Sequence, residues 1–217
     1  GGAHQSIGTP LIGISQPGLL SFEPAFADEL ALIMNYGFNF LQDEDGGSVY
    51  LRLSTRSIDQ PMREIDHELK TNIIKGGYWL KKPGPNPEVV IVYQGAVANE
   101  VIEATYNLGE KFKDLGVLSI TSSDNLFHDW KNEILSFKNK ITKSHIERLL
   151  EFIPKDTRII TVIDGHPMTL SWIGSVFGHK TIPLGVDSFG QTGTIKDLFA
   201  EFEIDSESIS NLGFNCS

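Results

Sequence analysis

A continuous run of apolar residues at positions 88–93 constrains the fold of this chain more than any other feature. It reads Glu-Val-Val-Ile-Val-Tyr, a composition typical of a strand covered on both faces. Apolar residues then recur at three- and four-residue spacing from Val97 to Leu115, and a second apolar run follows at 117–120. A strand, a helix and a strand with short joins form a βαβ unit with parallel strands. The sequence therefore predicts an α/β fold for this part of the chain.

The alternation of strands and helices continues toward the carboxyl end. Residues 158–163 form a third apolar run, and residues 181–184 predict a last strand at an edge, where Pro183 is tolerated. Gly116 stands where a left-handed residue would end the helix that precedes it. Further helices are predicted at 126–137, 144–152, 168–177 and 194–202, the last with Thr194 as its cap.

The first part of the chain predicts a helix followed by a strand. Pro24 and the acidic residues after it suit a helix start, and the apolar stripe runs to Leu41. Residues 49–53 predict a strand, and turn-forming residues place a domain boundary near 57–66. Residues 78–80 predict an edge strand that runs antiparallel to its successor.

Charge and cysteine content exclude several classes of protein. The 217 residues include 18 Lys and Arg against 28 Asp and Glu, a net charge of −10, and basic residues occur in pairs at most. Nucleic-acid binding needs clustered cations, so we exclude it. The apolar runs are shorter than the ~18 residues of a membrane span, and one cysteine, Cys216, cannot form an internal disulfide. We expect a soluble, cytoplasmic protein.

Standard catalytic motifs and metal-ligand spacings are absent, which leaves the loops after the predicted strands as candidate sites. Asp164 and His166 suggest an acid/base pair, but a turn followed by a helix cap is favoured because no nucleophile accompanies them. The hydroxyl residues at 119–123 suggest phosphate binding or, more simply, helix capping. The loops of interest are 94–96, 119–124, 164–167 and 185–194.

Most histidines and tryptophans have ordinary structural interpretations. Four histidines stand in charged or turn contexts that predict solvated surface: His67, His128, His145 and His179. Three tryptophans lie on predicted apolar faces and are expected in the core: Trp79, Trp130 and Trp172. His4 lies in a loop of small residues and, taken by itself, is a surface histidine.

Three short motifs resemble segments of transketolase-like thiamine diphosphate enzymes. Residues 2–5, Gly-Ala-His-Gln, are similar to the His-Gln loop of transketolases, and residues 21–24, Ser-Phe-Glu-Pro, resemble a Ser-Tyr-Asp-Pro segment of 2-oxo acid dehydrogenases. Residues 184–190 and 202–205 resemble the Leu-Gly-Thr-Asp-Gly-Phe-Gly…Phe-Glu-Val-Asp signature of those enzymes. The likeness spans nearly the whole chain and is greatest to the homodimeric first, decarboxylating component of the pyruvate dehydrogenase complex.

The resemblance implies two parts and an activity. Residues 1–62 would be the second half of a pyrimidine-binding domain. Residues 63–217 would be a transketolase-like carboxyl-terminal domain with three layers and a mostly parallel sheet. The full enzyme would use thiamine diphosphate and magnesium to decarboxylate a 2-oxo acid, pyruvate or 2-oxobutyrate, and would transfer the acyl unit to the lipoyl group of an acyltransferase component.

The same resemblance assigns His4 as the catalytic residue of this chain, donating a proton or hydrogen bond to the substrate. The Gly-Asp-Gly…Asn motif for metal and diphosphate is missing, and the activating glutamate would precede Gly1. We therefore expect the start to be cut, and the chain alone to be inactive with no cofactor bound. Arg56 resembles the substrate-phosphate arginine of transketolases, which leaves sugar-phosphate transfer open beside a structural role for this arginine.

A function of another class stays open beside the enzyme. The chain could act as a non-catalytic module for dimer contact or for docking to a partner enzyme. Apolar surface left uncovered in a partial domain promotes association, so we expect oligomers, with a homodimer implied by the resemblance.

Overall fold

The protein is described by a computed structural model covering residues 6–136, 142–189 and 191–215. Its strands in these residues are β1 Leu19–Phe22, β2 Ser48–Leu51, β3 Gly77–Lys81, β4 Val89–Gln94, β5 Gly116–Ile120, β6 Arg158–Ile163 and β7 Thr181–Leu184. Its α-helices are α1 Ile12–Ser15, α2 Ala27–Phe40, α3 His67–Lys75, α4 Ala98–Gly109, α5 Ser123–Leu135, α6 His145–Leu150, α7 Met168–Ser171, α8 Ile195–Glu201 and α9 Ser206–Phe214. Short 3-10 helices precede α1 and α4 and follow α7.

The larger sheet has five strands in the order β3-β5-β4-β6-β7. Strands β4 to β7 are parallel to one another, and β3 is antiparallel to β5. Every residue of β4 is buried, as its uninterrupted apolar run predicts. The α/β class and the mostly parallel sheet are therefore confirmed.

Helices cover both faces of the larger sheet. One face packs against α4, α8 and α9, which contribute Val101, Phe199 and Ile209 to a common core. The opposite face packs against α5, α6 and α7. The result is a helix–sheet–helix sandwich, which confirms the predicted three layers.

The first part of the chain forms a smaller sheet in which β1 and β2 are parallel. Phe22 of β1 and Ile33 of α2 share a core with Ile73 of α3 and Tyr78 of β3. The backbone N–H of Glu23 also donates to the carbonyl of Thr121 at 2.8 Å. The small sheet is thus packed onto the larger domain by apolar contact and by a backbone hydrogen bond.

Two predicted helix starts illustrate how caps set the boundary. Helix α2 begins at Ala27 rather than near Pro24, because the carboxylate of Glu29 accepts hydrogen bonds from the backbone N–H groups of Ala25 and Phe26. Thr194 caps α8 as predicted, and its Oγ1 accepts a hydrogen bond from the N–H of Asp197 at 3.2 Å.

Two local predictions are wrong in their details. The strand at 78–80 lies at an edge and is antiparallel, but its partner is β5 and not its successor β4, which lies inside the sheet between β5 and β6. Gly116 opens β5 with no positive φ. Its lack of a side chain is needed for packing, because a Cβ there would lie 2.8 Å from Pro83 and 2.9 Å from Trp79.

Candidate functional site

A cleft of about 410 Å³ opens beyond the carboxyl ends of β2, β6 and β7. This is the edge at which parallel α/β sheets bind ligands. The loops after these strands and helix α8 form its walls, and we call it the carboxyl-end cleft. It is lined by Ile7, Leu53, Ser54, Thr55, Arg56, Asp164, Val186, Ser188, Phe189, Gln191, Ile195, Leu198, Phe199 and Phe202.

Two of the four loops singled out in the sequence line this cleft, namely those at 164–167 and 185–194. The loop at 94–96 lies behind one wall, and the loop at 119–124 packs against β1 instead. Residues 53–55, which also line the cleft, were not singled out. Leu53 ends the strand predicted at 49–53 and residues 54 and 55 follow it directly, which was the available signal.

Arg56 is paired with protein groups in the cleft wall. Its two Nη atoms donate to the two carboxylate oxygens of Glu100 at 3.0 and 2.7 Å, and Nη1 also donates to the carbonyl of Ala96 at 3.0 Å. The guanidinium lies over the ring of Phe199, 4.8 Å from its centroid. This geometry is that of a structural arginine, because both Nη atoms already bind a carboxylate.

A partly buried ion pair and its hydrogen-bond partners connect the two sheets behind the cleft. Glu23 follows β1 and Arg52 follows β2. One Nη of Arg52 donates to Glu23, and the other donates to the backbone carbonyl of Asp164, directly after β6. Gln94, the last residue of β4, donates to the second carboxylate oxygen of Glu23 at 3.0 Å. Arg52 therefore ties the carboxyl ends of the small sheet to the loop that forms the cleft wall.

Burial dominates the titration of Glu23. It raises the pKa of this carboxyl to about 7, against the opposing effects of the Arg52 charge and the Gln94 hydrogen bond. Gly95 packs directly on the carboxylate with φ +68°, and a Cβ there would lie 2.3 Å from Glu23 Oε1. Glu23 does not line the cleft, so it acts on the cleft by holding Arg52 and the Asp164 loop.

A second buried cluster joins α2 to β3. The Tyr78 hydroxyl donates to Glu29, and Arg63 donates to that hydroxyl at 2.7 Å. Arg63 also forms a two-point pair with Asp28 at 2.7 and 2.8 Å. Burial raises the pKa of Glu29 and of Tyr78, and the neighbouring charge of Glu29 raises the pKa of Tyr78 further. The side chains of this cluster hydrogen-bond to one another. Glu29 is buried and does not line the carboxyl-end cleft.

Asp164 and His166 do not form the acid/base pair that the sequence allowed. His166 Nδ1 accepts a hydrogen bond from the N–H of Met168 at 3.2 Å, which is the helix cap of the simpler interpretation. Asp164 instead faces Arg52, with 3.8 Å between Oδ2 and Nη2. No hydrogen bond joins Asp164 to His166 in the part of the chain that the structure describes.

The hydroxyl residues at 119–123 are structural. Ser122 caps α5 by accepting from the N–H of Asn125, and its hydroxyl donates to the carbonyl of Ser21 at 2.7 Å. Asp124 accepts from the N–H of Ser21 at 2.8 Å. Burial raises the pKa of Asp124. This loop therefore fastens β1 to the large domain and is enclosed rather than open to a phosphate.

The four histidines that were predicted at the surface differ in their exposure. His67 is exposed and His128 is half-buried. His145 and His179 are buried, so the surface prediction is wrong for these two, whose Nε2 atoms face the carbonyls of Gly77 and Pro154. The three tryptophans are half-buried and pack against the core as expected. His4 lies outside the described residues, and its role stays a prediction.

The described residues do not fit a metal–diphosphate site. No group of three or more His, Cys, Asp and Glu residues at 6–136, 142–189 or 191–215 is arranged to hold a metal ion. The single arginine that lines the carboxyl-end cleft is already paired with Glu100.

No helix in those same ranges is long and apolar enough to cross a membrane.

The sequence profile of the transketolase-like TK C-terminal domain matches residues 76–205, more than half of the chain. The chain belongs to this family. The matched range includes all five strands of the large sheet in full.

Relatives of two kinds are similar to this chain. A pyruvate dehydrogenase E1 component from Buchnera aphidicola subsp. Baizongia pistaciae is 27% identical over 197 residues, covering 87% of this chain and 22% of the relative. Transketolase 2 from Aliivibrio fischeri is 26% identical over 171 residues, covering 79% of this chain and 23% of the relative. The chain thus spans under a quarter of the length of these relatives.

Solved transketolase structures share the fold. Transketolase from Leishmania mexicana superposes with a TM-score of 0.67 at 13% identity, over 98% of this chain and 27% of that one. A chain described as split gene transketolase, inactive beta4 tetramer, superposes with a TM-score of 0.66 at 17% identity, over 96% of this chain and 61% of that one. At these identities the likeness shows the fold alone.

Proposed function

We propose that this chain is the carboxyl-terminal part of a thiamine-diphosphate-dependent 2-oxo acid dehydrogenase component of the pyruvate type. The full enzyme would decarboxylate a 2-oxo acid and transfer the acyl unit to the lipoyl group of an acyltransferase component. Its support is the similarity to pyruvate dehydrogenase E1 components over most of this chain. The residues that hold thiamine diphosphate and magnesium would lie in the rest of the enzyme.

The observation that carries the choice of a 2-oxo acid over a sugar phosphate is the pairing of Arg56 with Glu100. A substrate phosphate would have to displace a carboxylate that already binds both Nη atoms. The displaced carboxylate would then repel the phosphate at close range. A 2-oxo acid such as pyruvate carries no phosphate and requires no such exchange.

Within this proposal the residues of this chain hold the cleft wall and orient the substrate, and they do not carry the cofactor. Arg52 fixes the Asp164 loop, and with it one wall of the carboxyl-end cleft. His4 would donate a proton or hydrogen bond to the substrate carboxylate or oxyanion. Residues 1–62 would form the second half of a pyrimidine-binding domain, residues 63–217 the carboxyl-terminal domain, and two copies a cytoplasmic homodimer.

The test is a substrate comparison on the full-length protein that contains this chain, with thiamine diphosphate and magnesium. We expect decarboxylation of pyruvate or 2-oxobutyrate and no two-carbon transfer from a ketose phosphate. His4→Ala should lower kcat by about 100-fold or more, as loss of a general acid does. The matched control His67→Ala removes an exposed histidine and should leave kcat unchanged. Turnover of ketose phosphates alone would refute the proposal.

The second candidate is a non-catalytic module for self-association or docking. The observation that favours it is the likeness to a chain whose description names an inactive tetramer. The isolated chain should then form oligomers in light scattering and bind the acyltransferase component while showing no decarboxylation. Saturable micromolar binding of thiamine diphosphate by the isolated chain would contradict both this role and the expectation that the chain alone is inactive.

A further inference from the structure

Arg52 lies between two carboxylates, one of them buried and the other in the wall of the carboxyl-end cleft. One Nη donates to Glu23, and the other lies 3.8 Å from Oδ2 of Asp164. The side chain of Glu23 is 5% exposed, whereas that of Asp164 is 36% exposed and lines the cleft. A single guanidinium therefore serves two carboxylates, and a ligand in the cleft can reach only one of them.

The Glu23 side of this arrangement is fixed in place. Gly95 packs so closely that a Cβ there would lie 2.3 Å from Glu23 Oε1, and the backbone N–H of Glu23 donates to the carbonyl of Thr121 at 2.8 Å. The charges that act on Glu23 are those of Arg52 and Asp164. The groups that reach it from β4 and from the loop after β5 are uncharged. Protonation of Glu23 is therefore felt by these two charged residues.

The amide of Gln94 suits both protonation states of Glu23. Its Nε2 donates to Glu23 Oε2 at 3.0 Å, and its Oε1 is buried with no hydrogen-bond partner in the part of the chain that the structure describes. Turned over, the same amide accepts a hydrogen bond from the O–H of a protonated carboxyl. Burial favours the protonated form and raises the pKa of Glu23 to about 7.

The Asp164 side can move, but only in its side chain. The backbone carbonyl of Asp164 accepts from Arg52, and the carbonyl of Gly165 accepts from the N–H of Val186 at 2.7 Å, so the loop itself is held. A salt bridge with direct hydrogen bonding has a length of about 2.8 Å. A side-chain movement of about 1 Å would therefore bring the Asp164 carboxylate from its present distance into direct contact with Arg52.

The charge of the carboxyl-end cleft depends on this one side chain. Among the described residues, the charged side chains that line the cleft are Arg56 and Asp164, and Arg56 is paired with Glu100. If Arg52 balances Asp164, the cleft is neutral. If Arg52 balances Glu23 instead, the cleft carries one negative charge.

We propose that a proton on Glu23 switches the charge of the carboxyl-end cleft. When Glu23 is protonated, Arg52 has Asp164 as its counter-charge, and the Asp164 side chain closes on it. When Glu23 releases its proton to water, it neutralises Arg52 and leaves the Asp164 carboxylate facing the cleft. The cleft is then neutral below about pH 7 and negative above it. This switch does not depend on the activity proposed above.

The first test follows the side-chain carboxyl carbons of Glu23 and Asp164 by NMR in the full 217-residue chain as pH is varied. We expect the Asp164 signal to move with the same midpoint as Glu23, near pH 7. Glu23→Gln should remove this step from the Asp164 signal. Asp164→Asn should lower the midpoint of Glu23, because the Asp164 charge adds to the effect of burial on the pKa of Glu23.

The matched control is Asp156→Asn, which removes an exposed carboxylate at the opposite end of the large sheet and should leave the midpoint of Glu23 unchanged. Circular dichroism will verify that each variant folds. An Asp164 signal with no step near the midpoint of Glu23 would overturn the proposal. A step that persists in Glu23→Gln would assign the change to another group and would overturn it as well.

The second test measures the charge of the cleft directly. Ser188 is exposed and lines the cleft, so Ser188→Cys, made together with Cys216→Ser, places a thiol there. It is treated with a trimethylammonium and a sulfonate methanethiosulfonate reagent, and the ratio of the two rates cancels the ionisation of the thiol itself. We expect the ratio of the cationic to the anionic reagent to rise about threefold across the midpoint of Glu23.

Addition of Glu23→Gln should keep this ratio constant with pH, because Arg52 then balances Asp164 throughout. Ser136→Cys, at an exposed position after α5 and outside the cleft, is the control and should show no such rise. An equal rise at both positions would mean that the charge of the whole molecule is responsible, and a constant ratio at Ser188→Cys would mean that the cleft does not change charge. Either result would overturn the switch.

Discussion

The buried carboxyl of Glu23 makes the stability of the folded chain depend on pH. Burial raises its pKa from 4.5 to about 7 in the folded chain. Between these values the folded state binds more protons than the unfolded state, so the free energy of unfolding falls as pH rises from about 4.5 to 7. Glu23→Gln does not titrate. We expect the native chain to lose about 3 kcal/mol more than this variant over the interval, measured by urea unfolding.

The control for this prediction is Glu103→Gln, which neutralises an exposed carboxyl on α4. Its free energy of unfolding should follow the same pH profile as the native chain. Parallel profiles for Glu23→Gln and the native chain would show that Glu23 titrates at an ordinary pKa in the folded state.

Gly95 is needed at its position for two reasons that reinforce each other. Its φ of +68° is unfavourable for other residues, and a Cβ would lie 2.3 Å from the Glu23 carboxylate. Gly95→Ala should therefore destabilise the chain by about 2 kcal/mol or more in urea unfolding. Gly109→Ala is the matched control, because nothing lies within 4 Å of its Cβ position at the end of α4. That variant should gain about 0.5 kcal/mol, and equal losses in both would contradict the argument.

At the scale of elements, a hydroxyl group fastens α2 to β3. Tyr78 donates to the buried Glu29 and accepts from Arg63. Tyr78→Phe removes the hydrogen bond donated to the buried Glu29 and the acceptor of the hydrogen bond from Arg63. We expect a loss of about 1–3 kcal/mol in the free energy of unfolding. Tyr106→Phe, at a ring that is 77% exposed, should change it by less than about 0.5 kcal/mol. A similar small effect in Tyr78→Phe would disprove the role of the cluster.

The elements differ in how well the sequence predicts them, for a physical reason. Strands β4, β5 and β6 are buried on both faces, so their uninterrupted apolar runs are visible without any structure. Strand β1 and helices α3 and α9 bury only some of their residues, so the apolar pattern of each is interrupted and the sequence does not indicate them. The partner of β3 could not be predicted, because pairing depends on the order of strands in the sheet.

Only part of the candidate site could likewise be predicted from the sequence. The loops after β6 and β7 follow from the rule for parallel sheets, so they could be predicted. The contacts of Arg52 could not, because they join residues that are 29 and 112 positions apart in the chain. His145 was misjudged because charged neighbours in sequence suggest exposure, whereas the ring itself points at the carbonyl of Gly77.

At the scale of the whole molecule, stability should be uneven between the two sheets. The residues of β4 are all buried, whereas β2 has no buried residue and β1 has two. Local opening is cheapest where few apolar groups are buried, so amides of the small sheet should exchange with solvent faster than those of the large one. The Arg52 contacts to Glu23 and Asp164 oppose this opening by tying the small sheet to the β6 loop.

Hydrogen exchange on Arg52→Met tests this connection between the sheets. The variant keeps the apolar stem of the side chain but loses both contacts, so amides of β1 and β2 should exchange about tenfold faster, a loss of roughly 1.4 kcal/mol in local stability. Amides of β4 and β6 should keep their rates, because their core is untouched. The control Arg158→Met removes a hydrogen bond to the carbonyl of Asn215 far from the small sheet and should leave β1 and β2 unchanged. A uniform increase over both sheets in Arg52→Met would instead mean that the small sheet opens only when the whole molecule unfolds.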